Sequence, residues 1–407
     1  MMNKNPEIGI EKTGATAATG FLAAGEVCGV RYEGRRDLGL LFSQEAGGAA
    51  AVVITTNVVK AAPLLVSREA VETGNVRAVV VNSGVANAAT GERGLKDACR
   101  MQTLAAAELG LEPEEVAVAS TGVIGEHLPM DRVETGIKEA AASLSSDGSS
   151  FAEAILTTDT RTKEAVARVE IGGEIVTVGG VAKGSGMIHP NMATMLAFVT
   201  TDAAVEKKSL QNALNGATER TFNRVTVDGD TSTNDMVLLM ANGAAGNEPL
   251  TQGSLDYPAF EEAVEAVMRV LAKEIARDGE GATKLIEVVV EGAKDEVSAA
   301  ALAKAVVGSS LVKAAAYGED ANWGRVLVAM GYAGVPFDPE GVEIHFGPVK
   351  VFEKGEPVAH NATEANATLA GDEVVITARL GEGKGSASAW GCDLTHEYVE
   401  INGSYRS

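Results

Sequence analysis

Two kinds of hydrophobic pattern recur along this chain. Residues 49–55 (Ala-Ala-Ala-Val-Val-Ile-Thr) and 77–82 (Arg-Ala-Val-Val-Val-Asn) are short apolar runs, the pattern of strands buried on both faces. The second runs into Asn82-Ser83-Gly84, a turn composition. Residues 95–109 instead show helical spacing, stopped by Gly110 and Pro113. The run 116–119 predicts a strand that delivers Ser120-Thr121-Gly122 at its end. Asp131 is placed to cap the following helix, with Glu134 three residues on, and Val133, Ile137, Ala141 and Leu144 form that helix's buried stripe. The polar stretch 145–150 is expected to be a loop. Residues 167–171 and 174–178 flank Gly172-Gly173, the signature of a two-residue hairpin. Phe260, Val264, Val267, Leu271 and Ile275 mark the clearest amphipathic helix, ended by Gly279. Strands are expected at 286–290, 342–346, 350–353 and 374–380, and a helix at 299–307. There is no internal repeat, long linker or low-complexity tract. The order of elements is mixed rather than strictly alternating, which favours an α+β fold with largely antiparallel sheets.

Composition narrows the class without naming a substrate. The 407 residues suffice for two or three domains' worth of core. A hydrophobic content of 45% and a charged content of 22% are those of a soluble globular protein. The net charge of −22 repels phosphates, so neither nucleic acid nor an acidic membrane is expected as a partner. Cys28, Cys99 and Cys392 are odd in number and far apart, which argues for free thiols in a reducing cytoplasm rather than disulfides or zinc. The Asn-x-Ser/Thr matches at Asn361, Asn366 and Asn402 are then chance. Residues 14–25 faintly resemble a signal core, but Glu7 and Glu11 offset the lysines before it and Thr and Gly interrupt it. No apolar stretch reaches membrane-spanning length without Gly, Pro or Asn breaking it.

The chemistry concentrates in residues 183–202, Lys-Gly-Ser-Gly-Met-Ile-His-Pro-Asn-Met-Ala-Thr-Met-Leu-Ala-Phe-Val-Thr-Thr-Asp. A lysine and a Gly-Ser-Gly turn lead through Pro190 into an apolar run whose first hydroxyl, Thr194, follows the small Ala193. Taken alone, Thr194 is a threonine in a buried strand. A threonine hydroxyl becomes a nucleophile when a base stands beside it. An N-terminal threonine carries that base itself, as an α-amine of pKa about 7.7–8. Thr194 acquires such an amine only if the Ala193–Thr194 bond is cut. Attack of its own Oγ on the preceding carbonyl, followed by hydrolysis, would do this. Ala193 leaves that carbonyl open, and Pro190, Gly184 and Gly186 can bend the backbone to expose it. Acyl transfer also needs donors for the developing oxyanion. Thr121-Gly122 offers a hydroxyl and an exposed amide at a strand end, although on its own the pair reads sooner as a plain strand-ending turn. Lys183 is either a solvated loop lysine or a ligand for an α-carboxylate.

The whole string closely resembles the self-processing site of the ornithine acetyltransferase (glutamate N-acetyltransferase) family, cut between the Ala and Thr of such an Ala-Thr-Met-Leu segment. The resemblance recurs from about Asn82 to the last residue. Ser120–Gly125 resembles the segment whose Thr-Gly pair, here Thr121 and Gly122, forms that family's oxyanion hole. Leu156-Thr157-Thr158-Asp159-Thr160 places Thr157 at the substrate, and Lys183 matches a substrate-binding lysine. Glu280, in Arg277-Asp278-Gly279-Glu280-Gly281-Ala282-Thr283, would contact the ornithine ammonium. Asn402 and Ser407, in the closing 398–407 segment, would reach the pocket. The runs Val227–Asp235 and Asp320–Arg325 also match, without a role derivable from sequence. Val85 and Ala89 replace the Asn and Cys usual in the segment after Asn82, and Ser407 replaces a more usual Thr.

The resemblance implies a layered α/β/β/α core of the N-terminal-nucleophile type with a C-terminal α/β part. It further implies an α fragment 1–193 and a β fragment 194–407, assembled as a heterotetramer of two of each. The expected activity is ping-pong transfer of acetyl from N-acetylornithine to glutamate in arginine biosynthesis. Thr194 would be the nucleophile and substrate contact, and the enzyme would be cytoplasmic. No metal or bound cofactor is needed, and acetyl-CoA as a further donor stays open. A self-cleaving aminopeptidase or amidase uses the same N-terminal threonine and differs in passing the acyl group to water. A nucleotide-binding protein fits poorly: Gly184-Ser185-Gly186 follows its lysine instead of preceding it, and no Gly-x-Gly-x-x-Gly opens a helix. Asp228-Gly229-Asp230 resembles the start of a calcium loop, but Thr233 and Leu239 stand where its Gly and final acid belong.

Overall fold

The computed structural model describes residues 7–9, 14–189, 195–359 and 362–404. The chain divides into two compact units. The first is drawn from Met1–Gly184, Pro190–Asn223 and Thr231–Leu271, and the second from Ser185–His189, Arg224–Asp230 and Ala272–Ser407.

The first unit is built on two sheets. The larger orders its strands Glu7–Gly9, Lys163–Ile171, Glu174–Lys183, Leu196–Thr201, Met236–Ala241 and Ala49–Ile54. Its neighbours are antiparallel except for Leu196–Thr201 beside Met236–Ala241. The smaller orders Phe21–Glu26, Leu38–Ser43, Ala78–Asn82 and Val116–Ser120, with only the last pair parallel. Side chains alternate across a strand, and both faces of these strands are used. Val79, Val81, Ala117 and Ala119 pack with Val181, Leu196, Phe198 and Leu238 of the larger sheet. Val80, Val118 and Leu40 point the other way, into Ala98 and Met101 of helix Gly91–Leu109 and Val133 and Ile137 of helix Met130–Ala142. Burial on both faces is why 78–82 reads as an unbroken apolar run. Helix Lys207–Arg220 packs on edge strand Ala49–Ile54, and Gln211 accepts from the Val52 N–H and donates to its carbonyl, closing that edge. Val267 and Leu271 of helix Tyr257–Arg277 crowd Gly180 on the same sheet. The unit is therefore the α/β/β/α arrangement of an α+β fold.

The second unit centres on a seven-stranded sheet ordered Val225–Thr226, Gly385–Cys392, Leu285–Ala293, Glu373–Arg379, Glu343–Phe346, Val349–Glu353 and Glu356–Pro357. Val288, Val290, Ile344 and Ile376 share a core with Leu302, Val306 and Met330 from the helices Glu296–Gly308 and Trp323–Gly331. Asn322 caps the second of these helices by accepting from the Arg325 N–H, and it donates to Asp320. The Asp320–Arg325 motif is thus a helix-starting turn.

The hairpin at Gly172-Gly173, the paired strands and the long helix lie where the sequence pattern puts them. Two segments differ. Asp131 does not cap its helix: Pro129 holds the capping position, no side chain accepts there, and Asp131 falls in the first turn. The expected loop 145–150 ends early: Ser149 and Ser150 open the helix Ser149–Ala154, whose Phe151 packs edge-on against Phe198, ring centroids 5.5 Å apart. Residues 14–25 enter a 3₁₀ turn and the buried strand Phe21–Glu26. Among the described residues, no single helix is long and apolar enough to cross a membrane.

Candidate active site

Strand Val116–Ser120 is buried throughout and ends at Thr121-Gly122. The turn is held by backbone bonds to the neighbouring turn: Thr121 N–H donates to Asn82 O at 3.0 Å, and Val123 N–H to Gly84 O at 3.1 Å. Gly122 has φ +132°, and a side chain there would begin 2.2 Å from the Gly84 carbonyl carbon, so only glycine fits. With the Thr121 N–H committed to Asn82, the Thr121 hydroxyl and the Gly122 N–H are the turn's candidates for an oxyanion. Behind them Ser120 Oγ donates to Asn82 Oδ1 at 2.6 Å, and Asn82 Nδ2 to Val85 O at 2.8 Å. Val85 is a core residue at 2% exposure, which suits the apolar side chain found in place of asparagine.

Lys183 ends strand Glu174–Lys183 with 6% exposure. Its Nζ donates to Thr157 Oγ1 at 2.7 Å and stands 3.7 Å from Asp159 Oδ2. Two residues singled out from sequence thus meet directly, through a third that was only quoted as part of a motif. Asp159 also takes the Lys163 ammonium at 2.7 Å and the N–H groups of Thr157 at 3.0 Å and Gly184 at 2.6 Å. Burial alone would raise the Asp159 carboxyl. Lys183, Lys163 and the Gly184 N–H more than offset it and hold it well below the usual range.

Replacing Asp159 by Asn should strand two buried ammonium groups, at a cost of about 3–5 kcal/mol. The contribution of a carboxyl depressed in the folded state is complete above its unfolded pKa, about 3.9, and fades as pH falls below that. The stability gap between wild type and Asp159→Asn should accordingly be constant from pH 7 to pH 5 and narrow in stronger acid. Denaturant melts of both proteins across that range check this.

Lys183 pairs in register with Leu196, so the lysine lies alongside the strand that leads away from Thr194. Ala193 and Thr194 themselves lie outside the described residues, as does Ser407. Just before strand Met236–Ala241, Asp235 is 3% exposed. Burial pushes its carboxyl well up, against the opposing influence of Ser232, Lys183, Thr55 and the Met195 N–H. Among the described residues its Oδ2 has no hydrogen-bond partner.

In the second unit Glu280 and Asn402 are brought together, Asn402 Nδ2 donating to Glu280 Oε2 at 2.8 Å. A side chain at Gly186 would begin 2.3 Å from the Glu280 carboxyl, so glycine leaves that carboxylate its room. Asp228 accepts from the N–H groups of Met187 at 2.6 Å and Ile188 at 2.9 Å, although Met187 carries φ +57°. This part of the Val227–Asp235 motif therefore shapes the chain ahead of Pro190, a role that sequence spacing alone did not reveal.

A hydroxyl and an N–H at a strand end, with a fixed ammonium beside a second strand, are the kinds of groups that an acyltransferase uses. Comparison with known proteins agrees. A model of the ArgJ family matches residues 22–407. The arginine biosynthesis bifunctional protein ArgJ of Symbiobacterium thermophilum is 58% identical over 397 residues, 97% of this chain and 98% of that one. Its namesake from Bacillus subtilis is 52% identical over 389 residues, 95% of each chain. Among solved structures, the arginine biosynthesis bifunctional protein argJ of Bacillus halodurans is 52% identical with a TM-score of 0.51, the match covering 52% of this chain and 100% of that one. The chain belongs to the ArgJ family, and it is an acyltransferase of arginine biosynthesis.

Proposed function

We propose that the chain cuts itself between Ala193 and Thr194 and then carries acetyl from N-acetylornithine to glutamate on the Thr194 hydroxyl. The supporting observation is the pairing of Lys183 with Leu196, which sets an ammonium held by Thr157 and Asp159 beside the strand that begins just past Thr194. In self-cleavage, Thr194 Oγ attacks the Ala193 carbonyl, the peptide C–N bond breaks, and water hydrolyses the resulting ester. The products are a carboxylate on Ala193 and a free amine on Thr194.

In turnover, the Thr194 amine accepts the Oγ proton while Oγ attacks the acetyl carbonyl of N-acetylornithine. The Thr121 hydroxyl and Gly122 N–H stabilise the tetrahedral oxyanion. Collapse breaks the C–N bond, the ornithine nitrogen takes the proton, and acetyl remains as an ester on Thr194. The glutamate α-amine then attacks that ester and leaves as N-acetylglutamate, and the threonine hydroxyl is restored. Lys183 with Thr157 takes a substrate α-carboxylate. Glu280 with Asn402 takes the ornithine side-chain ammonium, with Ser407 beyond the described residues. The cycle balances without a metal or bound cofactor. The relatives' designation as bifunctional supports acetyl-CoA as a second donor to the same threonine. The cleaved fragments would act in the cytoplasm as a heterotetramer, two α with two β.

Mixing the cleaved enzyme with N-acetylornithine and no acceptor should add one acetyl group to fragment 194–407. Mass spectrometry should locate it on Thr194, and glutamate should remove it. Kinetics that require both substrates bound before either product leaves would replace this mechanism by direct transfer. Water accepting acetyl as well as glutamate does would make the enzyme an amidase.

A further inference from the structure

Asn234 lies far in sequence from the oxyanion turn, yet its side chain reaches it. The residue is 6% exposed, and its amide is fully used. Nδ2 donates one hydrogen to Ala86 O at 2.6 Å and the other to Ser120 O at 2.8 Å, while Oδ1 accepts from Thr233 Oγ1 at 2.6 Å. One carbonyl lies past the turn after strand Ala78–Asn82 and the other closes strand Val116–Ser120; the two strands are parallel neighbours and so deliver both turns at one edge of the sheet. Two carbonyls demand two donors, which turns Nδ2 toward them, and the Thr233 hydroxyl is left to donate to the amide oxygen.

The Ser120–Thr121 peptide is a rigid plane. Asn234 holds its oxygen, and its N–H is held by Asn82 O at 3.0 Å, so the plane is pinned on both sides. That plane sets where the Thr121 side chain and the Gly122 N–H point. The next residue, Asp235, interacts with the Met195 N–H, which belongs to the Thr194–Met195 peptide bond, and Met236 N–H donates to Met195 O at 3.0 Å. Residues 234–236 therefore touch the oxyanion turn at one end and the head of the strand following Thr194 at the other.

We propose that Asn234 is a positioning residue for acyl transfer, fixing the Thr121-Gly122 turn in register with the strand that begins just past Thr194. It touches no reacting atom; it acts through Thr121. The inference rests on the reading of Thr121 and Gly122 as the oxyanion donors.

The test measures steady-state transfer from N-acetylornithine to glutamate on cleaved protein, below each variant's melting temperature. Removing one oxyanion donor typically costs about 10²–10³ in turnover, and misplacing a group by about 1 Å can cost about 10². Asn234→Ala should lower kcat by roughly 10–10²-fold with KM within a few-fold. In the Thr121→Ala background it should cost clearly less than in the wild type, because one of the two donors it positions is already gone. Thr233→Val, which removes only the bond orienting the amide, should lower kcat in the same sense and carries the test if Asn234→Ala does not fold. Normal kcat in the folded Asn234 variant, or in Thr233→Val where it stands in, overturns the inference, and so do losses that multiply in full with those of Thr121→Ala. A slow Thr121→Ala beside a normal Asn234→Ala sinks this inference alone. A normal Thr121→Ala sinks the oxyanion reading and this inference with it.

Discussion

Thr194→Ala should yield one uncut chain of 407 residues with no transferase activity, where the wild type should yield fragments 1–193 and 194–407. One oxygen atom is responsible for both losses. Without Oγ there is no attack on the Ala193 carbonyl, so no amine is freed. Without that amine and hydroxyl there is nothing to accept acetyl. The uncut variant should nonetheless fold, because folding has to precede cleavage. Strand Glu174–Lys183, before the junction, pairs antiparallel with Leu196–Thr201, after it, and the latter sits between two neighbours inside the larger sheet. The first compact unit draws on chain from both sides of the cut. The two wild-type fragments should therefore stay together through purification under native conditions and separate only in denaturant. Thr194→Ser keeps a hydroxyl and should still cut, more slowly. Intact-mass measurement settles each point, and a wild-type chain that is active while uncut would overturn the mechanism.

The sequence was most informative where burial is simplest. Strands 78–82 and 116–120 are buried on both faces, so their apolar runs are continuous and unambiguous. Gly172 and Gly173 both adopt positive φ, which is what the hairpin reading required of them. Strands Phe21–Glu26 and Leu38–Ser43 were missed because each carries a glycine at a close approach. Gly25 meets the Ser150 carbonyl and Gly39 the Phe151 ring, contacts that exist only once helix Ser149–Ala154 is in place. The site divides along the same line. Thr121, Gly122, Thr157 and Lys183 could be singled out from local motifs. Asp159 lay in plain view in one of those motifs, but its importance appears only when two lysines converge on it. Asn234 lay in the matching Val227–Asp235 run, but its role has no local signal, since the carbonyls it holds lie 148 and 114 residues away along the chain.

Thr121→Ala should lower kcat by about 10²–10³, or roughly 2.7–4 kcal/mol of transition-state stabilisation, the usual cost of one oxyanion donor. The structure makes this a clean deletion. The turn is secured by the backbone bonds Thr121 N–H to Asn82 O and Val123 N–H to Gly84 O, and by Asn234 on the Ser120 carbonyl, none of which uses the threonine side chain. Alanine preserves them all and removes only the hydroxyl and the small γ-methyl, so the melting temperature should change little. Gly122 offers no comparable experiment, because any side chain would drive into Gly84. A neutral hydroxyl contributes little to holding a charged amino acid in the ground state, where Lys183 is proposed to take the carboxylate, so KM for N-acetylornithine should stay within a few-fold. Loss confined to kcat assigns the hydroxyl to the transition state. A variant that melts early yet turns over normally below its melting point would instead make Thr121 part of the scaffold. The oxyanion would then have to be met by the Gly122 N–H with a donor from elsewhere.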